Sequence, residues 1–456
     1  MSELVLTGGT VWTGDGFAEG DVEIAGGKIA RVAATGSGRA AQRIDVSGLH
    51  VLPGAIDAHI HLGHGRDISR PRVPEDALTE TGAAATGGVT CIIPYILSSE
   101  PYRPVFDELR LVTEAGARVD FSFHFVIATD TQMAEVAWLA EQGSPTAKLF
   151  MNIRGDEGAR LGLPGTDDGF LFRLLETLRE AGGMLCPHPE NIEVAWVLRD
   201  RVTAADADGT GGLAAWNDTR PPFVEAEALS RASYFARIVG TPLHAVHTSS
   251  GEALAAAVLQ REQGSDVSIE TCIQYLTDDT ESPIGATGKV NPPLRAPADR
   301  AALWEGIRRG QIDTIATDHI HRPASSKQGG IWTAQPGFPG LDTFLPALLT
   351  QARKEDVAVE RMIPLVTRNP ARRMGLAGKG ELEPGFDADI TVLDMGKAWT
   401  VEADKLASDA GYSIYQDRQM DVSVVHTLSR GRFALRDGSL SDDSRGHGSY
   451  VARKLR

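Results

Sequence analysis

Six side chains able to bind a metal ion or move a proton stand at the ends of short apolar runs. His59 and His61 close "GAIDAHIHL" (54–62), Lys148 lies in "TAKLFM" (146–151), and His188 in "MLCPHPE" (184–190). His247 lies in "LHAVHTSS" (243–250) and Asp318 in "DTIATDH" (313–319). Side chains alternate along a strand, so the spacing of His59 and His61 sets both imidazoles on one face. Imidazoles and carboxylates are the ordinary ligands of a zinc-type ion, and a carboxylate beside them can take or return a proton. Lys148 is the unusual member, because it is the only lysine between Lys28 and Lys289 and it sits inside an apolar run. A buried ammonium is costly unless neutralised or paired. Either Lys148 is modified or metal-bound, or its stem leads the charge out to water at the strand end. Each residue alone has a plainer use: an HxH pair that only packs, a loop His188, a core His247, an Asp318 that caps the next helix. Their conjunction is what points to a site.

The elements that must position them alternate. Apolar runs at 52–62, 89–96, 120–127, 146–151, 184–190, 243–250, 267–276 and 313–319 are separated by helix-like text. In "DGFLFRLLETLREAGG" (168–183), Phe170, Leu171, Leu174, Leu175 and Leu178 form a stripe at helical spacing. Eight strand–helix units predict an α/β fold, a (β/α)8 TIM barrel whose active residues gather at the C-terminal ends of the strands. A doubly wound sheet is the alternative that the alternation alone leaves open. The chain ends read differently. Residues 1–50 are short β segments with a Gly26–Gly27 hairpin signal, and similar text returns at 388–394 and 422–438. The expected organisation is a small β-sandwich from 1–50 and 378–438, a metal-dependent barrel over 51–377, and a polar C-terminal tail at 439–456, free or packed on a neighbouring subunit.

A chain of 456 residues with 42% hydrophobic and 23% charged residues is that of an ordinary globular enzyme. Its net charge of −16 argues against nucleic acid or an anionic membrane as partner. No apolar run is long enough to span a bilayer, and the opening "MSELVLTGGTVW" lacks the pattern of a signal peptide. Cys91, Cys186 and Cys272 are far apart and form neither a CxxC pair nor a disulfide framework, so a reduced, cytoplasmic protein is expected.

The ordered stretches "LPGAIDAHIHL" (52–62), "TAKLFM" (146–151), "HPEN" (188–191), "RPPFVEAEALSRA" (220–232), "VHTSSGEAL" (246–254), "NPPLR" (291–295), "ATDH" (316–319), "PGFPGLDTFLP" (336–346) and "KGELEPGFDADITVLD" (379–394) carry a resemblance across nearly the whole chain. It resembles the cyclic amidohydrolases of the metal-dependent amidohydrolase superfamily: hydantoinases, dihydropyrimidinases, allantoinases and dihydroorotases. The resemblance implies two divalent ions, usually zinc. His59 and His61 would hold the more buried ion together with Asp318, His188 and His247 the second, and Lys148, carbamylated by carbon dioxide, would bridge them. It further implies attack of a metal-bridging hydroxide on a ring carbonyl, with Asp318 as general base and then acid. Main-chain groups at Asn291 and Pro336 would hold the ring's amide edge, and the assembly would be a homodimer or homotetramer.

Two departures bear on the substrate. Dihydroorotases carry an arginine where this chain has Gly63, which sets that activity aside. Hydantoinases and dihydropyrimidinases place a tyrosine five residues after the carbamylated lysine, where this chain has Ile153 followed by Arg154. His64, Arg66, Arg70, Arg72, Arg154, His321 and Arg322 fall on the expected mouth loops, with His64 and Arg66 the nearest to substrate. A basic mouth on an acidic protein favours an anionic substrate, unless these arginines are spent on Asp67, Asp156 or Glu157. Two other functions remain in view: hydrolysis of an acyclic amide, as in D-aminoacylases and dipeptidases, and a non-catalytic scaffold of the same fold.

Overall fold

The computed structural model describes residues 2–455, the side chains of Asp156 and Arg160 excepted. Eight parallel strands form the barrel: Ala55–His61, Val89–Ile96, His124–Val126, Thr146–Phe150, Met184–His188, Leu243–Ala245, Val267–Cys272 and Thr314–Ala316, called strands one to eight below. The ring closes where a short continuation of strand eight, His319–Ile320, pairs in parallel with strand one at His319↔Ile60 and Ile320↔His61. Strand two, "VTCIIPYI", is buried at all eight positions. Such near-continuous apolar text is required where one face meets the barrel interior and the other meets covering helices.

Several strands are shorter than the apolar runs that announced them. The run at 120–127 divides into Asp120–Phe121 and His124–Val126, and the run at 243–250 is strand only as far as Ala245. Strand eight breaks at Asp318, which adopts φ 51°, and His247, just past strand six, adopts φ 41°. A residue with a Cβ held in that left-handed region carries about 1–3 kcal/mol of strain. Both breaks fall at candidate site residues, where the chain leaves the sheet as it reaches the mouth.

The helices start and stop by local chemistry. Helix Asp168–Ala181 begins where the Asp167 carboxylate accepts the Phe170 N–H at 2.8 Å, and it ends at Gly182 with φ 65°. Its five-residue apolar stripe is buried against the barrel, as the spacing predicts. Among the described residues no helix is long and apolar enough to cross a membrane.

Both chain ends build the β-sandwich, in a nine-stranded sheet that joins Ser2–Trp12 and its neighbours to Ile390–Asp394, Ser423–Ser429 and Arg432–Arg436. His50–Pro53 is the seam, parallel to the first strand at Thr10↔His50 and antiparallel to the later one at Thr391↔Leu52. Gly26 and Gly27 turn the hairpin between Phe17–Ala25 and Lys28–Ala33 with φ of 56° and 73°, values that a two-residue turn of this kind needs at both positions.

The segment expected to be a free tail or an arm for a neighbour instead closes the floor of its own barrel. Tyr450 bridges to Phe121, and the buried Arg453 donates to Ser122 Oγ at 2.8 Å, Thr146 Oγ1 at 2.7 Å and the Phe123 carbonyl at 2.5 Å. The polar composition concealed this, because one arginine among buried hydroxyls and a carbonyl at the barrel floor satisfies acceptors that no apolar side chain can. Beside it, Lys379 ties sandwich to barrel: its ammonium lies 2.8 Å from Asp120, 2.6 Å from Asp389 and 3.0 Å from Asp387. Removing one partner of a buried ion cluster strands the others. Lys379→Ala should therefore lower the unfolding free energy by about 3–5 kcal/mol in urea titrations. A loss below about 1 kcal/mol, the scale of an exposed pair, would show that the cluster holds nothing together.

Candidate metal centre

The ends of strands one, four, five, six and eight deliver His59, His61, Lys148, His188, His247 and Asp318 to one cavity at the C-terminal mouth of the barrel. None of the six is more than 6% exposed. Asp318 Oδ1 lies 3.3 Å from His59 Nε2 and 3.4 Å from His61 Nε2. His188 Nδ1 lies 2.9 Å from His247 Nε2. Two groups of donors thus face one another across the barrel axis, with Lys148 between the strands that carry them.

Neighbouring carboxylates decide which ring nitrogens face inward. Glu270, fully buried on strand seven, takes His59 Nδ1 at 2.7 Å, His244 Nε2 at 3.1 Å and the His247 backbone N–H at 3.1 Å. With Nδ1–H given to Glu270, His59 presents a lone pair at Nε2, which is buried without a hydrogen-bond partner. Glu190 does the same for His188, taking Nε2 at 2.7 Å and leaving Nδ1 for the cavity; Arg220 holds Glu190 in turn at 3.4 Å. Asp57 accepts the Thr317 hydroxyl at 2.5 Å and the His59 N–H at 3.1 Å, so it braces strand one against the break in strand eight.

Burial sets the protonation. It pushes His61 down to about 4, lowers His188, and together with Lys148 and the adjacent rings holds His247 well below the ordinary value. These rings are neutral at pH 7, the form that ligates a metal. Burial alone would raise Asp318, but His59 and His61 hold it below the usual carboxylate range, so it stays an anion. Burial also pulls Lys148 down to about 8. Among the described residues no carboxylate ion-pairs with its ammonium, which lies 4.5 Å over the Tyr95 ring and 5.3 Å from that of Phe150. Inward lone pairs on neutral imidazoles, one carboxylate and an unpartnered buried Nε2 are the donor set of a divalent ion, and the residues present fit one. A second acidic cluster, Asp120, Asp387 and Asp389, is ligand-like in geometry only, since the Lys379 ammonium already occupies its centre.

The remaining expected residues separate into three groups. Asn291, Pro336 and Ile153 line the cavity. Asn291 Oδ1 is buried without a partner, and the Pro336 carbonyl accepts from Arg322 Nη1 at 2.6 Å. Ile153 packs among Leu97, Val126, Ala128 and Leu163, with no hydroxyl at its position. His64 does not reach the cavity: it is half exposed and held by Asp76 at 3.0 Å. Arg66 lines an adjoining chamber and donates to Ser325 Oγ at 3.0 Å. Arg72 is spent on Asp67 at 2.8 Å, and Arg154 on Glu193 at 2.9 Å rather than on Glu157; the Asp156 side chain lies outside the described residues. A side chain at position 63 would overlap the Asp67 carbonyl, because the loop folds back with His64 N–H on Asp67 O at 2.7 Å. Glu270 is the residue that sequence reasoning missed. It lies in "VSIETC", an acid inside an otherwise weakly polar strand, a pattern that does not by itself separate an orienting carboxylate from any other internal acid.

Comparison with known proteins identifies the family. Residues 344–434 match the model of the amidohydrolase family. The chain is 33% identical over 453 residues to an allantoinase of Deinococcus radiodurans, covering 97% of this chain and 98% of that one. It is 32% identical over 471 residues to a D-hydantoinase of Streptomyces coelicolor, covering 99% and 98%. Among solved structures, an L-hydantoinase from Arthrobacter aurescens superposes with a TM-score of 0.91 at 27% identity, covering 99% of this chain and 100% of that one.

Glu270→Gln keeps the shape of the side chain but removes the charge that orients His59. It should weaken zinc binding by roughly 10–100-fold in competition with a chelator. Affinity equal to that of the parent protein would deny Glu270 its positioning role.

Proposed function

The chain belongs to the cyclic amidohydrolases of the amidohydrolase superfamily and hydrolyses cyclic amides, and from that premise we propose that it opens an amide, imide or ureide ring at a centre of two zinc ions. His59, His61 and Asp318 would hold one ion, His188 and His247 the other, and Lys148 would span them as a carbamate. The observation that carries this reading is Lys148, 1% exposed and beside five metal-ligating side chains, with its pKa drawn to about 8. A tenth or so of such amines are neutral at pH 7, and a neutral amine attacks carbon dioxide, losing a proton as its N–C bond forms. The carbamate replaces a buried cation by an anion with two ligating oxygens, which removes the cost of burying Lys148. When bound, the metal pair lowers the pKa of a water in the site and polarises the scissile carbonyl.

The protein's own groups do the rest. Asp318, ionised and held toward His59 and His61, accepts the proton of the attacking water and passes it to the ring nitrogen as the C–N bond breaks. Asn291 Oδ1 offers an acceptor to a ring N–H, and the Pro336 carbonyl keeps a second lone pair for the same edge. Ile153 offers no hydroxyl to the oxyanion, so the wall at that position contributes only apolar packing. For the expected homo-oligomer, Phe223, Tyr234 and Ile238 on helix Pro222–Val239 and Leu259 on helix Gly251–Glu262 give each chain an apolar outer face for a second copy.

Protein stripped by a chelator and reloaded with zinc and bicarbonate should open at least one of hydantoin, dihydrouracil, allantoin or succinimide, and zinc without bicarbonate should restore less. Asp318→Asn should lower kcat by roughly 10²–10⁴-fold, the range for a general acid–base group. Turnover of N-acyl amino acids with no ring opened would move the assignment to acyclic amides. Silence on both, with less than one zinc per chain, would leave a scaffold.

A further inference from the structure

His188 is held by a chain of charges that ends at the cavity wall. Its Nε2–H goes to Glu190 Oε2 at 2.7 Å, and Arg220 Nη1 reaches that same oxygen at 3.4 Å. Asn152 Nδ2 also lies 3.4 Å from it. Glu190 Oε1, by contrast, is buried without a hydrogen-bond partner. The other end of the guanidinium, Arg220 Nη2, donates to Glu157 Oε1. Glu157 stands on helix Gly155–Leu161, which follows strand four, and it lines the same cavity as His188.

Glu157, Glu190 and Arg220 are all buried, so solvent screens their charges little. Arg220 is anchored through its main chain, whose carbonyl accepts from Arg295 Nη1; Arg295 is paired in turn with the buried Glu225 at 3.0 Å. A guanidinium and a carboxylate meet most strongly through two parallel hydrogen bonds. Arg220 and Glu190 do not. The guanidinium is divided between two carboxylates, Glu157 is the closer of them, and only one Glu190 oxygen takes part. The oxygen that holds the His188 ring therefore keeps most of its negative charge for the imidazole.

We propose that Glu157 is a positioning residue for His188, and that it acts by drawing Arg220 away from Glu190. Without the Glu157 charge, the guanidinium closes as a fork on both Glu190 oxygens, since nothing else engages Oε1. The hydrogen bond from His188 then weakens, and its inward Nδ1 becomes a poorer and less firmly aimed donor to a metal ion. A less balanced cation beside the cavity opposes a divalent ion as well, in the same direction. This inference rests on the two-ion reading above, and it adds a carboxylate that acts on the second ion only through Arg220, Glu190 and His188.

The first test needs no metal. In chelator-stripped protein carrying nitrogen-15-labelled histidine, the Nε2–H resonance of His188 is identified by its loss in His188→Gln. In Glu157→Gln this resonance should move upfield, the mark of a weaker hydrogen bond, while the His59 resonance on Glu270 stays in place. Glu193→Gln is the control: it removes an exposed charge from the nearby Arg154 pair without touching Arg220, and should shift neither. If Glu157→Gln does not fold, Glu157→Asp keeps the charge but draws it back by a methylene, and should move the His188 resonance the same way by less. The second test titrates zinc against a chelator. One of the two binding steps should weaken by roughly tenfold in Glu157→Gln, the low end for loss of an outer partner, and the other should stay within about twofold. An unmoved His188 resonance, or zinc steps that are both unchanged or equally weakened, overturns the role of Glu157. A parent protein that binds less than one zinc per chain overturns the two-ion centre instead, and the His188 resonance alone then decides the positioning role.

Discussion

The Glu270 carboxylate lies in the barrel axis with no solvent exposure and gathers three groups from two strands: the His59 and His244 rings and the His247 main chain. A lone buried carboxylate would be costly, and Glu270 is kept ionised because three donors converge on it. The same convergence fixes the His59 tautomer and anchors the second residue after strand six. Asp57 repeats the arrangement between strand one and the break in strand eight. The geometry of the candidate ligands at the mouth is thus inherited from carboxylates one layer deeper, which fix the inward nitrogens.

That deeper layer accounts for the backbone strain at the two irregular ligand positions. His247 at φ 41° and Asp318 at φ 51° are held where a side chain is disfavoured, and each is pinned by hydrogen bonds of its own main chain. Glu270 takes the His247 N–H, while the Asp318 N–H goes to the His59 carbonyl at 2.9 Å. Had either residue continued its strand, its side chain would have alternated with its neighbours instead of turning over the mouth. The cost of two left-handed residues is met by contacts that a regular strand does not offer.

Sequence alone picked out the six candidate ligands that the structure gathers in one cavity, and went less far with their supports, for a physical reason. His59, His61, Lys148, His188, His247 and Asp318 stood out because polar residues at the ends of apolar runs have few structural uses. Glu270 and Asp57 lie inside such runs, and nothing in a linear pattern tells an internal acid that orients a histidine from one at a frayed edge. The barrel and the sandwich were legible because their periodicities differ. The floor of the barrel was not, since Arg453 works through the Ser122 and Thr146 hydroxyls and the Phe123 carbonyl, a convergence of distant acceptors that has no sequence signature. His64 and Arg66 show the opposite error: proximity to the HxH pair suggested a role, but the tight return of the loop at Gly63 turns His64 toward Asp76 and carries Arg66 out to the second chamber.

The apolar side chains of Ile68, Leu97 and Leu161 line both the candidate metal cavity and the chamber beside it. Neutral imidazoles and an ionised Asp318 are held in the buried cavity, while Arg66, Arg70 and Arg72 line only the outer chamber. The guanidiniums of the mouth loops thus stand apart from the donor set, where a positive charge would oppose a divalent ion. Arg322 lines both spaces, and its Nη1 donates to the Pro336 carbonyl. The position where relatives carry a tyrosine belongs to the same wall, and Ile153 there extends the apolar lining. The wall that faces the donor set is therefore aliphatic from Ile68 through Leu97 to Ile153, and a polar group of a substrate placed against it would be desolvated without a partner.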